Sequence, residues 1–459
     1  MMPDIQSRVA GAAWPAIPAP AGARLAALLF QFERTQWWPA ERLLDHQLRQ
    51  LTHMLKHAWD TVPFYRRRFD AIGWRPGAAL TYDDWRRLPL LTRRDIQDAG
   101  PDLASRAVPA HCGKVSETQT SGSTGEPVKL RRTRLDQLLW DANTLRDHLW
   151  HRRDLSGKLA AIRVFHDSRV GAPPHGSAAR GWDLASGELF GTGPAVLLSL
   201  GADVETQARW LARHDPDYLL TYPTNLDALI AHFAARGAKL PKLRGITTVG
   251  ETVTPALRER CDEAWGVPIT DIYSSQEFGY LALQCPAGGR YHAMAESALV
   301  EVLDEKGNPC RPGEIGRLVI SSLHNFAMPL IRYELRDYAE AGGVCECGRG
   351  LPLLARILGR SRNMVTLPNG ERRWPLVGFA EYRAIAPVRQ YQLIQHAPEE
   401  IEVRLVTDRP LTADEEARLT KVIQNALGWP FRLKFAYFER EIPRSAGGKF
   451  EEFVSRIAG

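Results

Sequence analysis

Four short apolar runs, KLAAIRVF (158–165), AVLLSL (195–200), DYLLTY (217–222) and GITTVG (245–250), decide the fold. Each has the length of a buried strand, and helix-patterned stretches at Val204 to Arg213 and Thr224 to Arg236 lie between them. Strands alternating with helices build a partly parallel sheet, so the centre of the chain predicts an α/β domain. Working outward, the pattern after Tyr291 shifts to short strands separated by Gly, Pro and Asn turns, and ALVEVLDEKGNPCRPGEIGRLVISSL (298–323) predicts strand, turn, strand. From Gly359 onward QYQLIQ, IEVRLVT and RLKFAYF predict strands, and Thr412 to Leu427 predicts a capped helix. On the N-terminal side, Leu43, Leu44, Leu48, Leu51, Leu55 and Trp59 recur at helical spacing between Glu41 and about Ala71.

The resulting expectation is an α/β protein with a large multi-sheet N-terminal domain and a small α+β C-terminal lid domain. The boundaries are 1–24 for a poorly ordered Ala/Pro/Gly-rich arm, 25–358 for the large domain and 359–459 for the small mobile one. At 459 residues, 44% hydrophobic and 24% charged, the chain has the balance of a soluble globular protein, which excludes a disordered scaffold. The net charge of +6 is spread without a basic block, so no nucleic-acid partner is expected. No apolar run approaches the roughly 20 residues of a membrane span, and LAALLF (25–30) lacks the flanks of a secretory signal. A cytoplasmic location is therefore expected.

The sharpest local feature is TSGSTGEP (120–127), whose hydroxyls and glycines suit a loop wrapped around phosphate oxygens. It lacks the Gly-Lys-Ser/Thr ending of a Walker loop, and a solvated Ser/Gly linker has the same composition. A second constellation is Cys285 and His292 with Cys345 and Cys347, three thiols and an imidazole of the kind that close a tetrahedral zinc site. Isolated buried cysteines beside a surface histidine would look alike. Cys112, Cys261 and Cys310 stand apart as core or surface thiols. His166 is a structural strand-end histidine or a wall of the substrate pocket, and RRTR (131–134) is a helix entrance or a phosphate dock.

Taken in order, TSGSTGEP, VGET (249–252), YSSQEFG (273–279), YELRDYA (333–339), GRSR (359–362) and PRSAGGK (443–449) resemble the ATP-handling motifs of the adenylate-forming superfamily. LKHAWDTVPFYRRRF (55–69) followed by LPLLTRRDI (88–96) resembles the branch containing phenylacetate-CoA ligase and a deazaflavin-adenylylating synthetase. The resemblance implies that Thr120, Ser121, Ser123 and Thr124, in a loop with Gly122 and Gly125, bind the β- and γ-phosphates of ATP. It puts Gly250 and Glu251 beside adenine, Tyr273 stacked on the base and Ser274 where the family has glycine. Glu277 would hold Mg²⁺, Asp337 would accept from the ribose hydroxyls with help from Arg360, and Lys449 would bridge the substrate carboxylate and the α-phosphate. Relatives in this branch also support structural zinc at the Cys/His set.

What this implies is an acyl-adenylate made from ATP and a small carboxylic acid, aromatic by analogy, with the acyl group passed to a thiol of coenzyme A or of a carrier protein. An amine acceptor, nucleotidyl transfer onto a coenzyme and a catalytically silent homologue are the alternatives. The departures are Ser274, Arg362 and Asn363 after the Gly-Arg pair, and an extra glycine, Gly447 or Gly448, before the lysine.

Overall fold

A computed structural model describes residues 3–77, 79–119, 128–165, 167–375, 379–439, 441–443 and 450–457. The four founding runs become the strands Leu159–Arg163, Ala195–Ser199, Tyr218–Thr221 and Gly245–Val249, all parallel where they pair, and Ile269–Ser275 extends the parallel set. The helices Val204–His214, Pro223–Ala234 and Pro255–Trp265 pack their buried Trp210, Leu226, Leu229, Phe233 and Leu257 onto this half.

Among the described residues both halves belong to one twelve-stranded sheet. Gly279–Gln284 pairs antiparallel with Ile269–Ser275 and starts the second half, which continues through Tyr291–Ala293, Leu353–Arg360, Tyr333–Ala341, Ile315–Ser322 and Ala298–Leu303. The predicted strand–turn–strand is the antiparallel pair Ala298–Leu303 and Ile315–Ser322. Thus the α/β expectation holds, with the main strands of the large domain hydrogen-bonded into a single surface and the ribbon Ser116–Gln119/Lys129–Arg132 beside it.

The small sheet runs Arg432–Phe438, Glu400–Thr407, Val388–Ala397, Phe453–Ser455. Leu419, Ile423 and Leu427, at four-residue spacing on the helix Ala413–Leu427, bury against Leu393, Val403 and Leu405, each worth about 1.5–3 kcal/mol relative to exposure. Thr412 and Glu415 form the reciprocal cap that the sequence suggested.

Two N-terminal expectations differ from what is seen. The amphipathic stretch is two helices, Ala40–Thr61 and Pro63–Ala71, because Pro63 presets the backbone of a new first turn and Val62 before it is extended. The segment expected as an arm to residue 24 already contains the start of the helix Pro20–Thr35, and Ile5 bridges Phe190. Leu25, Leu29 and Phe32 bury that helix, and Gly22 allows its close approach: a Cβ there would lie 2.3 Å from the Glu188 carbonyl oxygen.

Candidate active site and metal centre

Parallel strands Gly245–Val249 and Ile269–Ser275 end at the same edge of the sheet, next to the point where pairing turns antiparallel. Such an edge is where open α/β sheets bind ligands. A cleft of about 400 Å³ opens there, and Gly250, Glu251, Tyr273, Ser274, Glu277, Asp337 and Arg360 all line it. Thr120, Ser121, Gly122, Ser123, Thr124, Gly125 and Lys449, with His166, Gly447 and Gly448, lie outside the described residues.

The described residues are tightly interlocked. Tyr273 Oη donates to Asp337 Oδ2 at 2.6 Å, and Arg360 Nε stands 3.5 Å from Asp337 Oδ1. Asp337 and Arg360 face each other because their strands pair at that register. Burial, then the Asp337 charge and hydrogen bond, drives the Tyr273 phenol far above its ordinary pKa, so it remains a donor at any working pH. Arg360 is likewise held in its charged form: burial opposes this, but Asp337, Glu451 and Glu277 outweigh it. Gly250 has φ +80°, a conformation glycine adopts without strain. Arg336, adjoining Asp337, has φ +65°, an outlier of the kind found at functional sites.

Glu251 bridges two parts of the chain. Its Oε2 accepts from the Thr224 N–H at 3.0 Å and Thr224 Oγ1 at 2.8 Å, and its Oε1 accepts from the Phe450 N–H at 2.7 Å. The residues departing from the family pattern also bind this C-terminal segment. Arg362 forms a double contact with Glu451, at 2.9 and 2.7 Å, while Asn363 accepts from the Arg360 N–H and donates to the Phe453 carbonyl.

Asp271, Arg93 and Thr224, to which no sequence motif assigns a role, also line the cleft. Asp271 is buried, and burial lifts its pKa to about 6 despite hydrogen bonds from Thr248 Oγ1 at 2.7 Å and Tyr291 Oη at 2.8 Å. Its signal was present: it lies two residues before Tyr273 on the same strand, hence on the same face. Arg93 sits inside LPLLTRRDI, immediately after the cap Thr92. In RRTR, Arg131 pairs with Glu117 and Thr133 caps the helix Arg134–Trp150, so these residues form a helix entrance.

Cys285, His292, Cys345 and Cys347 converge, with their donor atoms all within 4.8 Å of one another. Cys285 directly follows the strand Gly279–Gln284, His292 lies on the short strand that pairs back against it, and Cys345 and Cys347 follow Tyr333–Ala341. Cys285 Sγ and Cys345 Sγ are 3.8 Å apart, matching the ~3.8 Å edge of a tetrahedron with zinc–sulfur bonds of about 2.3 Å. His292 Nδ1 faces the Leu351 carbonyl at 3.4 Å, which aims Nε2 at Cys347 Sγ, 3.2 Å away. Burial depresses the imidazole to about 4, the neutral form that can ligate. The Arg349 N–H and neighbouring thiols hold Cys347 below its usual range, although burial pushes the other way. The donor set fits a closed four-ligand zinc centre. Cys112, Cys261 and Cys310 are free and separate from it.

Residues 119–328 match the AMP-binding enzyme family and residues 380–456 match the CapK C-terminal domain. The phenylacetate-coenzyme A ligase of Thermus thermophilus is 27% identical over 456 residues, 91% of this chain and 97% of the relative. That of Escherichia coli is 28% identical over 340 residues, 70% of this chain and 72% of the relative. Among solved structures, 2-hydroxyisobutyryl-CoA ligase in its postadenylation state superposes with a TM-score of 0.72 at 20% identity, covering 92% of this chain and 91% of that one. The same ligase in an open conformation gives 0.60, over 92% and 93%, and in its thioesterification state 0.61, over 92% and 91%. Among the described residues no helix is long and apolar enough to cross a membrane.

Proposed function

Because the chain belongs to the adenylate-forming superfamily, in its phenylacetate-CoA ligase-like branch, we propose that it joins a small carboxylic acid to coenzyme A through an acyl-adenylate. A carboxylate oxygen of the acid attacks the α-phosphorus of ATP, and the bond to pyrophosphate breaks. The coenzyme A thiol, losing its proton, then attacks the acyl carbon and AMP leaves. The observation that carries this proposal is the convergence of seven residues from separate motifs on one cleft, with the neighbour of Lys449 bonded at its rim.

Within the cleft, Tyr273, Asp337 and Arg360 form the nucleoside end: the Asp337 carboxylate accepts from ribose hydroxyls while Tyr273 and Arg360 hold it in place. Asp271, on the same strand face as Tyr273, offers an acceptor to the base. The first step brings two anions together, so opposing charge must be supplied. Lys449 does this from the lid, and the hydroxyls of residues 120–124 bind the β- and γ-phosphates. Glu277 is the carboxylate for Mg²⁺, which screens the phosphate oxygens when bound. Structural zinc at Cys285, His292, Cys345 and Cys347 leaves no open position for substrate.

Named relatives of this chain are coenzyme A ligases, which favours coenzyme A over a carrier protein, an amine or a coenzyme as acceptor. Phenylacetate in their names supports an aromatic acid, and Ser274 narrows or polarises the pocket relative to glycine. The higher superposition on the postadenylation state than on the open or thioesterification states supports a lid, from about residue 359, docked as for the first step. The proposed location is cytoplasmic.

Pyrophosphate exchange over aryl, fatty and amino acids, with hydroxylamine trapping, tests this. Wild type should exchange with at least one acid, and Lys449→Ala should slow exchange by on the order of 10²–10³-fold with ATP binding retained. ATP binding without exchange for any acid would overturn the enzyme assignment.

A further inference from the structure

We propose that Glu251 is a latch that holds the lid in its adenylate-forming position by gripping the backbone of Phe450, the residue that follows Lys449 in sequence. This rests on the ligase function above and extends it to a positioning residue.

The carboxylate is anchored on the large domain first. Thr224 is the second residue of the helix Pro223–Ala234, and its N–H is one of the first-turn donors that a helix cannot satisfy internally. Glu251 Oε2 takes that N–H and the Thr224 hydroxyl together, which sets the orientation of the carboxylate. Oε1 then receives the Phe450 N–H, from a residue covalently next to Lys449.

Phe450 is itself packed into the lid. Its ring is buried with Val406 and Ile442 of the small domain. Glu451, next along, is gripped by Arg362, and the Asn363 carboxamide bonds the Phe453 carbonyl. One short segment, 450–453, is therefore tied to the hinge on one side and to Glu251 on the other. Any rotation of the lid that carries Phe450 away from the large domain has to break the Glu251 contact. A carboxylate serving this purpose acts on one half-reaction: it favours the conformer that makes the adenylate and contributes nothing to the conformer that consumes it.

Two variants separate this from an adenine contact. In Glu251→Gln the amide has one acceptor oxygen, so it can serve Thr224 or Phe450 but not both; Glu251→Asp falls one methylene short of reaching both. Pyrophosphate exchange should fall about 10- to 100-fold in each, the range for losing a charge-assisted hydrogen bond. Thioester formation from supplied acyl-adenylate and coenzyme A, and the Kd for ATP, should each change at least about fivefold less than pyrophosphate exchange does.

Equal losses in both half-reactions, or a Kd for ATP weakened by the same factor as exchange, would overturn the latch. A second measurement needs no substrate: hydrogen exchange in a peptide covering 450–457 should show the Phe450 amide protected in wild type and at least tenfold less protected in Glu251→Gln, with 388–407 unchanged. Unaltered protection refutes the latch. Silence of wild type in every exchange assay would instead refute the ligase function, leaving the amide measurement to decide the latch.

Discussion

Removing metal from the four-ligand centre should destabilise the large domain by an amount the topology sets. Cys285 and Cys345 are 60 residues apart in sequence, and a shared metal closes that loop as a cross-link would. The chain-entropy relation for a loop of this length gives about 4 kcal/mol at 25 °C. With unfolding entropy near 2 cal/mol/K per residue over the large domain, that corresponds to a fall in Tm of about 6 °C. Protein purified without chelator should carry about one zinc per chain by elemental analysis, as a tight thiolate site retains its metal. Stripping it with a zinc-selective chelator, in magnesium-free buffer without nucleotide, should lower Tm by about that amount, with recovery on adding zinc. Cys347→Ser should bind metal more weakly and lose most of the same increment. Less than about 0.2 zinc per chain, or a stripped protein that melts with the unstripped one, would refute the site.

Asp337→Asn should raise the KM for ATP by about tenfold or more, as a charged acceptor is lost, and Tyr273→Phe by less; a KM within twofold of wild type in both would contradict the nucleoside assignment. Glu452 is half-buried and accepts from Tyr391 Oη at 2.6 Å; loss of solvent first, then the Asp227 and Glu251 charges, raise its pKa from 4.5 to about 7, with the Tyr391 hydrogen bond and Arg260 opposing. An acid raised in the folded state stabilises fully below pH 4.5 and loses that contribution as pH climbs through about 7. Glu452→Gln should flatten this decline, measured by denaturant unfolding at pH 5 and pH 8, and an unchanged slope would discount the group. Gly350→Ala should destabilise by about 1–3 kcal/mol, because its Cβ would stand 1.8 Å from the Trp38 carbonyl oxygen on unyielding backbone; a Tm equal to wild type would show that this backbone gives.

The sequence was most legible where chemistry is scarce or periodicity long. Cysteines and histidine at 285, 292, 345 and 347 stood out because few residue types ligate zinc, and the structure gathers all four. The parallel strands were readable from apolar runs separated by helical spacing. By contrast, Tyr291–Ala293 is a three-residue strand with no pattern of its own, held by its pairing to Gly279–Gln284 and Leu353–Arg360. The hydrogen bond of Tyr273 to Asp337 joins positions 64 apart, and that of Phe450 to Glu251 joins positions 199 apart. The second uses a backbone donor common to every residue but proline, so no residue type betrays it. Asp271 lies two residues ahead of YSSQEFG, where no motif marks it, and only three dimensions reveal its burial against Tyr291 and Thr248.

Leu353–Arg360, the last strand of the large sheet in chain order, does not sit at an edge: it is inserted between Tyr333–Ala341 and Tyr291–Ala293. During synthesis the growing sheet therefore holds an empty interior slot until residue 360 has emerged, and both flanking strands expose unpaired backbone in the meantime. A fragment ending at residue 352 would keep that gap permanently and invite self-association, while one extended through residue 360 could close its sheet before the lid exists.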